Sequence, residues 1–278
     1  MIINKYNDIF NDLDLTNIYI VTDFDGTLTL STSDSSWASI FKNPNVTKEF
    51  VQECIRIFNK YHPIEIDESI PFEQKLDIMS QWYKVNIETL INYDIDEEII
   101  NYSANNEKIM CFREGAKHFL ELLNEHEIPV IIISAGVGNI IEQFLIKNNC
   151  NFPNIFICSN FLEYLDGKIV GVRNGNLIHS LNKNEVSLPR DIKEKIKDRT
   201  PILLGDNIMD INMVDEDKRV IKIGFLDEKV HERLESFKAN YDLVCTENTS
   251  YDELIEHIRK KKRKWQNENN SPRKNKNR

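Results

Sequence analysis

The stretch "IYIVTDFDGTLT", residues 18–29, is a short apolar run that ends in two aspartates one residue apart. The run lacks the strict alternation of a half-exposed strand, which is typical of strands buried on both faces of a parallel sheet. Asp23 and Asp25 would then be two carboxylates at a buried strand end, where they repel each other and burial makes each charge more costly. The stretch therefore predicts a central parallel strand followed by a site that needs carboxylates.

Similar apolar runs recur along the chain and alternate with helical patterns. The helical patterns cover residues 113–127 and 139–150. The further strand-like runs are "PVIIISAG" (129–136), "NIFICSN" (154–160), "PILLGD" (201–206) and "RVIKIGF" (219–225). Alternation of strand and helix predicts an α/β fold with a doubly wound parallel sheet.

Two insertions interrupt this alternation. Residues 31–111 hold no good strand but two amphipathic helical patterns, with apolar faces formed by Val46, Phe50, Ile57 and Tyr61 and by Phe72, Leu76, Met79 and Tyr83. The run "GKIVGVRNGNLIHSLNK" contains Asn174-Gly175, a strong hairpin signal. We predict a small β-hairpin there, an α/β catalytic core of residues 1–30 and 112–258, and a helical cap domain of residues 31–111.

Charge is distributed unevenly along the chain. The net charge is −10, yet residues 259–278 carry ten Lys or Arg residues against one Glu. We predict that this basic tail is disordered and available to anionic partners, whereas the acidic body should not bind nucleic acid.

No apolar run reaches the ~18–20 residues that a membrane helix needs, and the first residues lack the features of a signal peptide. We therefore expect a cytoplasmic protein without a membrane partner. The five cysteines and six histidines show no zinc-binding spacing.

Three of the apolar runs end in residues that suit phosphate chemistry. In an open α/β sheet, ligands bind at the carboxyl ends of the strands. Asp23, Asp25, Asp206 and Asp210 would converge there, although one like-charge pair at ~4 Å costs ~4 kcal/mol at an effective dielectric constant near 20. A hard divalent cation resolves this conflict, and oxygen ligands favour Mg²⁺.

A carboxylate beside Mg²⁺ can attack a phosphoryl group and form an aspartyl-phosphate. A second carboxyl group two residues on can protonate the leaving oxygen and then take a proton from water. Ser134, with the backbone N–H groups that follow it, suits phosphate oxygens. A nearby lysine would neutralise the transferred group.

These motifs resemble those of a known group of enzymes. "DFDGTLT", "SAG", a downstream lysine and "GDNIMD" are similar to the four motifs of the haloacid dehalogenase superfamily of phosphohydrolases. Further segments, among them "YHPIEIDESI", "SAGVGNIIEQ" and "LLGDNIMDINM", resemble the cytosolic 5′-nucleotidase III (pyrimidine 5′-nucleotidase) family over residues 18–256. The resemblance implies a Mg²⁺-dependent 5′-nucleotidase that hydrolyses a nucleoside monophosphate.

The same resemblance implies a role for each candidate residue. Asp23 would be the nucleophile and Asp25 the general acid and base. Mg²⁺ would be held by Asp23, by the Asp25 backbone carbonyl and by Asp206, with Asp210 in support. The substrate-binding residues would be Ser134, Ala135 and Lys183 for the phosphate and Glu65 and Asn86 for the nucleoside. Trp82 would either stack on the base or belong to the core.

The chain departs from the family pattern at several positions. Gly26 replaces a methionine, Asn207 and Asn86 each replace a serine, and "STSDSSWASIFKNPN" replaces a segment with Cys and His. These changes leave the base open between a pyrimidine and 7-methylguanine. The alternatives are a phosphatase for another small metabolite such as phosphoserine, a response-regulator phosphoacceptor, and a scaffold without activity. The cap and the acid two residues after Asp23 argue against the response regulator, and the complete set of motifs argues against an inactive scaffold.

Overall fold

The computed structural model describes residues 1–4, 13–14, 16–67, 69–106, 108–175, 177–183, 188–214 and 219–259. All of the predicted basic tail except its first residue lies outside the described residues, so the prediction about it stays a prediction. Of the helices in these ranges, none combines the length and the apolar character needed to cross a membrane.

The central feature is a seven-stranded sheet. Its strands are β1 (Ile2–Asn4), β2 (Ile18–Thr22), β3 (Val130–Val137), β4 (Ile155–Asn160), β7 (Thr200–Gly205), β8 (Ile221–Leu226) and β9 (Leu243–Thr246), and a separate hairpin contains β5 (Leu162–Leu165) and β6 (Lys168–Val172). The order across the large sheet is β1-β9-β8-β7-β2-β3-β4. All neighbours pair in parallel except β1 with β9, which confirms the predicted doubly wound sheet.

Successive residues of β2 point to opposite faces of the sheet, and both faces are covered. Ile18 and Ile20 belong to the apolar cluster on one face, with side chains of α5 (Ala116–Glu125), α6 (Gly138–Lys147) and the helical residues 251–259. Tyr19 and Val21 belong to the cluster on the other face, with α7 (Arg190–Ile196) and α8 (Val230–Asn240). Burial on both sides is why this strand reads as a continuous apolar run.

Between β2 and β3 the chain forms the helices expected for a cap: α1 (Ala38–Phe41), α2 (Lys48–Ile66), α3 (Phe72–Asn92) and α4 (Glu97–Asn105). Helix α2 begins where the Thr47 side chain accepts a hydrogen bond from the Phe50 N–H, and α2 packs on α3. Phe72 is 46% exposed and does not lie on the buried face assigned to it. Helix α4 of this segment packs against α6, which belongs to the predicted core. The predicted boundaries between cap and core stay predictions.

The hairpin exists, but its predicted turn was wrong. Strands β5 and β6 pair with Leu165 opposite Lys168, so Asp166 and Gly167 form the turn. Their φ angles are +50° and +78°, as a type I′ turn requires at both central positions, and Asp-Gly suits this turn as well as Asn-Gly does. Asn174-Gly175 instead lies in a 3₁₀ turn after β6.

Candidate active site

The candidate site lies where three neighbouring parallel strands end. Asp23 follows β2, Asp206 follows β7, and Ser134 lies near the end of β3, the strand on the other side of β2. The predicted convergence of these side chains at one sheet edge therefore follows directly from the strand order.

Three carboxylates form a compact group at this edge. One oxygen from each of Asp23, Asp206 and Asp210 lies within 4.8 Å of the others. Burial, and after it the charge of Asp23, raises the pKa of Asp206 well above its usual range. Burial likewise raises the pKa of Asp210 to about 6, against the opposing effect of Lys183. Such groups bind protons, or a cation, more tightly than exposed carboxylates do.

Asp210 is oriented by the backbone around it. Its Oδ2 accepts hydrogen bonds from the N–H groups of Asp206 (3.2 Å) and Asn207 (3.0 Å). Asn207 caps the 3₁₀ helix Ile208–Met213 and accepts a bond from the Met209 N–H. The Asp210 side chain also packs closely on Gly205, because a Cβ at position 205 would lie 2.6 Å from the Asp210 Cβ. Asn207 thus serves as a helix cap, a role to which asparagine is well suited.

The ammonium group of Lys183 directly contacts the carboxylate group. Its Nζ donates to Asp23 Oδ1 at 2.8 Å and to Asp210 Oδ1 at 3.1 Å, and its side chain is 8% exposed. Burial acts to lower the pKa of Lys183, but Asp210 and Asp23 outweigh it and raise that pKa well above its usual value. Lys183 is therefore charged and points towards the predicted nucleophile.

The carboxylate of Asp25 is oriented by a residue that the sequence analysis missed. Its Oδ1 accepts from the Ser36 N–H at 2.9 Å and its Oδ2 from the Ser36 hydroxyl at 2.8 Å. Burial, then the charge of Asp23, raises the pKa of Asp25 to about 7. The Asp25 side chain is not part of the three-carboxylate group, so a metal contact through its backbone carbonyl stays a prediction.

The end of β3 forms another wall of the site. Ser134 Oγ accepts a hydrogen bond from the Gly136 N–H at 3.0 Å, and the Ser36 Oγ accepts from the Val137 N–H at 3.1 Å. A Cβ on Gly136 would lie 2.1 Å from the Ser36 Oγ. Trp37, also missed in the sequence analysis, donates its indole N–H to the Ala135 carbonyl at 2.9 Å. No motif in "STSDSSWAS" signals these contacts, which depend on how the inserted segment folds back.

A cavity of about 280 Å³ joins these polar groups to the inserted helices. Asp23, Asp25, Ser134, Ala135 and Lys183 line it. Its other walls include Asn86 and the aromatic residues Trp37, Phe41, Phe58, Trp82 and Tyr83. Trp82 lines the cavity and stacks on Tyr61 with ring centroids 5.8 Å apart, so it packs in the apolar cluster of the inserted helices, and its stacking on a base stays a prediction.

Of the residues predicted to bind the substrate, Glu65 is the one that does not line this cavity. Its Oε1 accepts a hydrogen bond from the Ser180 hydroxyl at 2.5 Å, and its backbone carbonyl accepts from Lys75 Nζ at 3.0 Å. Glu65 thus lies near the loop before Lys183 but is not among the residues that line the cavity. Its predicted contact with the base remains a prediction.

The chain matches one protein family over most of its length. Residues 26–260 match the family model described as "Pyrimidine 5'-nucleotidase (UMPH-1)". The chain is 33% identical over 255 residues to the 7-methylguanosine phosphate-specific 5′-nucleotidase of Mus musculus, covering 87% of this chain and 84% of the relative. Its identity to the Homo sapiens protein of the same name is 32%, with the same coverage of both chains.

Solved structures share the same fold. The crystal structure of cytosolic 5′-nucleotidase IIIB bound to cytidine superposes with a TM-score of 0.81 at 26% identity, covering 94% of this chain and 91% of that one. A substrate-bound phosphoserine phosphatase superposes with a TM-score of 0.55 at 22% identity, covering 87% and 98%. The second likeness shows a shared fold and nothing about substrate.

Proposed function

The chain belongs to the pyrimidine 5′-nucleotidase (UMPH-1) family of phosphoric monoester hydrolases, and on that premise we propose that it is a Mg²⁺-dependent 5′-nucleotidase acting through an aspartyl-phosphate on Asp23. The substrate is a nucleoside 5′-monophosphate that carries a pyrimidine or 7-methylguanine base. The products are the nucleoside and inorganic phosphate.

One observation carries this proposal. Asp23 lines the same cavity as Asp25, Ser134 and Lys183, and that cavity continues to a wall of aromatic side chains. A phosphate group at the polar residues would leave the rest of the substrate facing rings that suit a planar base. A second feature supports the reaction, because Lys183 fixes one oxygen of Asp23 at 2.8 Å.

The carboxylate group fits a magnesium ion. Asp23, Asp206 and Asp210 offer three oxygen ligands within 4.8 Å of one another, which is the donor chemistry that Mg²⁺ prefers. Lys183 balances only one of their negative charges, so a divalent cation would offset the remaining repulsion. When bound, Mg²⁺ would neutralise charge on the transferred phosphoryl group.

The protein's own side chains perform two displacements. In the first, an oxygen of Asp23 forms a bond to phosphorus, the bond to the 5′ oxygen breaks, and Asp25 gives its proton to that oxygen. In the second, a water oxygen attacks phosphorus, Asp25 takes the proton of that water, and the bond to Asp23 breaks. The pKa of Asp25, about 7, lets the group act in both protonation states near neutral pH. Ser134 and Lys183 bind the phosphoryl oxygens.

The experiment that tests the function is phosphate release with Mg²⁺ and with EDTA. The panel contains CMP, UMP, AMP, GMP, 7-methyl-GMP, phosphoserine and sugar phosphates. We expect metal-dependent release concentrated on CMP, UMP or 7-methyl-GMP. Equal rates on phosphoserine and on the nucleotides would contradict the nucleotidase assignment while leaving the Asp23 chemistry possible.

Magnesium should stabilise the protein, and more so at higher pH. The raised pKa values of Asp206 and Asp210 mean that these groups bind protons more tightly in the folded chain than in the unfolded one. The contribution of Asp210 to the free energy of unfolding of the metal-free protein therefore falls as the pH rises from about 4 to about 6. The contribution of Asp206 also falls as the pH rises above about 4. Mg²⁺ binds the deprotonated carboxylates and reverses that loss.

At ~100 times its dissociation constant, Mg²⁺ should raise the melting temperature by roughly 5–10 °C at pH 7.5 and by much less at pH 5. Differential scanning fluorimetry with MgCl₂ or EDTA at both pH values measures this. Asp206→Asn is the matched variant, and it should lose most of the shift. A shift that is equal at the two pH values would contradict the assignment.

A further inference from the structure

Asn160, the last residue of β4, makes an unusually complete set of hydrogen bonds. The residue is fully buried, with 0% of its surface exposed. Its Nδ2 donates to the carbonyl oxygens of Ala135 (2.9 Å), Gly136 (3.2 Å) and Ile178 (2.8 Å). Its Oδ1 accepts from the Ile178 N–H at 2.8 Å. One side chain therefore connects two separate segments.

The two segments carry the groups predicted to bind phosphate. Ala135 and Gly136 belong to the end of β3 and line the cavity. Ile178 begins the turn that leads to Lys183. Within that turn the Asn182 side chain accepts from the His179 N–H at 2.7 Å and donates to the Leu177 carbonyl at 2.9 Å. These hydrogen bonds hold residues 177–182 together as one turn. The position of Ile178 therefore influences the position of Lys183, which follows the turn.

Each of the two segments joined by Asn160 also has contacts that do not involve Asn160. The Ala135 carbonyl also accepts from the Trp37 indole at 2.9 Å, and the Gly136 carbonyl from the Ser159 hydroxyl at 2.9 Å. The end of β3 therefore keeps partners without Asn160. In the lysine turn, the Ser180 hydroxyl donates to Glu65, while the N–H and the carbonyl of Ile178 both bond to Asn160. Loss of the Asn160 amide should therefore break the link between the lysine turn and the strand end.

We propose that Asn160 is a positioning residue that fixes Lys183 relative to the phosphate-binding end of β3. The proposal rests on the proposed function, because it assumes that both segments bind the phosphoryl group. Only an amide supplies both N–H donors and an acceptor from one short side chain, and here three carbonyl oxygens share its two N–H hydrogens. Without that anchor, the turn would keep its contacts with the inserted helices, from Ser180 to Glu65 and from His179 to Ser80. It would lose its link to β3, so the separation between Lys183 and the strand end would no longer be fixed.

The test compares Asn160→Asp and Asn160→Ser with Asn154→Asp. An aspartate keeps the shape of Asn160 but cannot donate, so it would repel the three carbonyl groups. Asn154 precedes the other end of β4, where its Nδ2 donates to the Ile128 carbonyl at 2.7 Å. It is a control for a partly buried asparagine hydrogen bond remote from the site. Three quantities are measured in full-length protein: the melting temperature, the dissociation constant of inorganic phosphate by calorimetry with Mg²⁺, and kcat and KM.

We expect Asn160→Asp to weaken phosphate binding about tenfold or more and to raise KM by a similar factor, while Asn160→Ser loses less. Asn154→Asp should change both constants less than twofold even where its melting temperature falls. A purely structural role would reduce the active fraction, and therefore kcat, without changing KM or phosphate affinity. That result would overturn the proposal, as would failure of both Asn160 variants to fold at 10 °C. Phosphate binding needs no turnover, so wild-type protein that binds phosphate but hydrolyses no nucleotide would overturn the proposed function alone.

Discussion

Asp23→Asn is expected to reduce turnover by ~10⁴-fold or more, because the amide cannot act as the nucleophile that forms the phosphoenzyme. The fold should survive the change. In the absence of metal, Asp23, Asp206 and Asp210 repel one another, and the substitution removes one of these charges. An asparagine oxygen can still accept the hydrogen bond that Lys183 donates at 2.8 Å. The melting temperature in EDTA should therefore equal or exceed that of the wild type.

Steady-state kinetics on the best substrate of the panel, with melting curves in EDTA, measures both effects. Asp166→Asn is the control, since this exposed turn residue has a φ of +50°, a conformation that asparagine adopts readily. It should leave both quantities unchanged. Loss of a nucleophile should leave far less than about 1% of wild-type activity. If Asp23→Asn keeps more than that, the covalent mechanism is wrong.

Lys183→Met is expected to affect both activity and stability. The ammonium group is buried between Asp23 and Asp210 at 2.8 and 3.1 Å, so its removal leaves buried carboxylates without a balancing charge. Breaking such a pair costs about 3–5 kcal/mol of unfolding free energy. Turnover should fall by ~10²–10³-fold, because the transferred phosphoryl group loses a positive charge. Saturating Mg²⁺ should recover part of the stability but not the activity.

Urea unfolding in EDTA and in MgCl₂, together with kinetics, measures this combination. Lys168→Met is the matched control, because Lys168 lies 3.7 Å from Asp94 and both side chains are exposed. Loss of an exposed ion pair costs less than about 1 kcal/mol. Equal stability losses in the two variants would mean that Lys183 is not coupled to the carboxylates as the distances indicate.

The sheet and the carboxylate group could be predicted because each depends on a local pattern. Runs such as residues 18–24 show burial on both faces directly, and parallel strands bring their carboxyl ends to one edge. Asp23 and Asp206 could therefore be placed together without any knowledge of the connecting segments. The strands β1 and β9 were missed because runs of three and four residues carry too little pattern.

The remaining parts of the site depend on contacts between distant segments. Ser36 reaches Asp25 only because the inserted segment folds back over the strand ends, and a serine-rich stretch shows no periodicity from which that could be read. Asn160 appears in the sequence as an ordinary polar residue after a strand. The hairpin turn was misplaced because two dipeptides, Asp166-Gly167 and Asn174-Gly175, both suit a type I′ turn, and only the pairing of β5 with β6 selects one. Glu65 lies near the end of α2. Its carboxylate was predicted to contact the base, but it accepts a hydrogen bond from Ser180, a partner that no sequence pattern indicates.

The contact between Gly136 and Ser36 has a consequence for how related chains can diverge. A Cβ at position 136 would lie 2.1 Å from the Ser36 hydroxyl, the same hydroxyl that donates to Asp25. An alanine at 136 would thus require a smaller residue at 36, a displaced inserted segment, or a Ser36 hydroxyl turned away from Asp25. Positions a hundred residues apart should therefore covary among relatives, and the inserted segment should exchange between relatives only together with the end of β3.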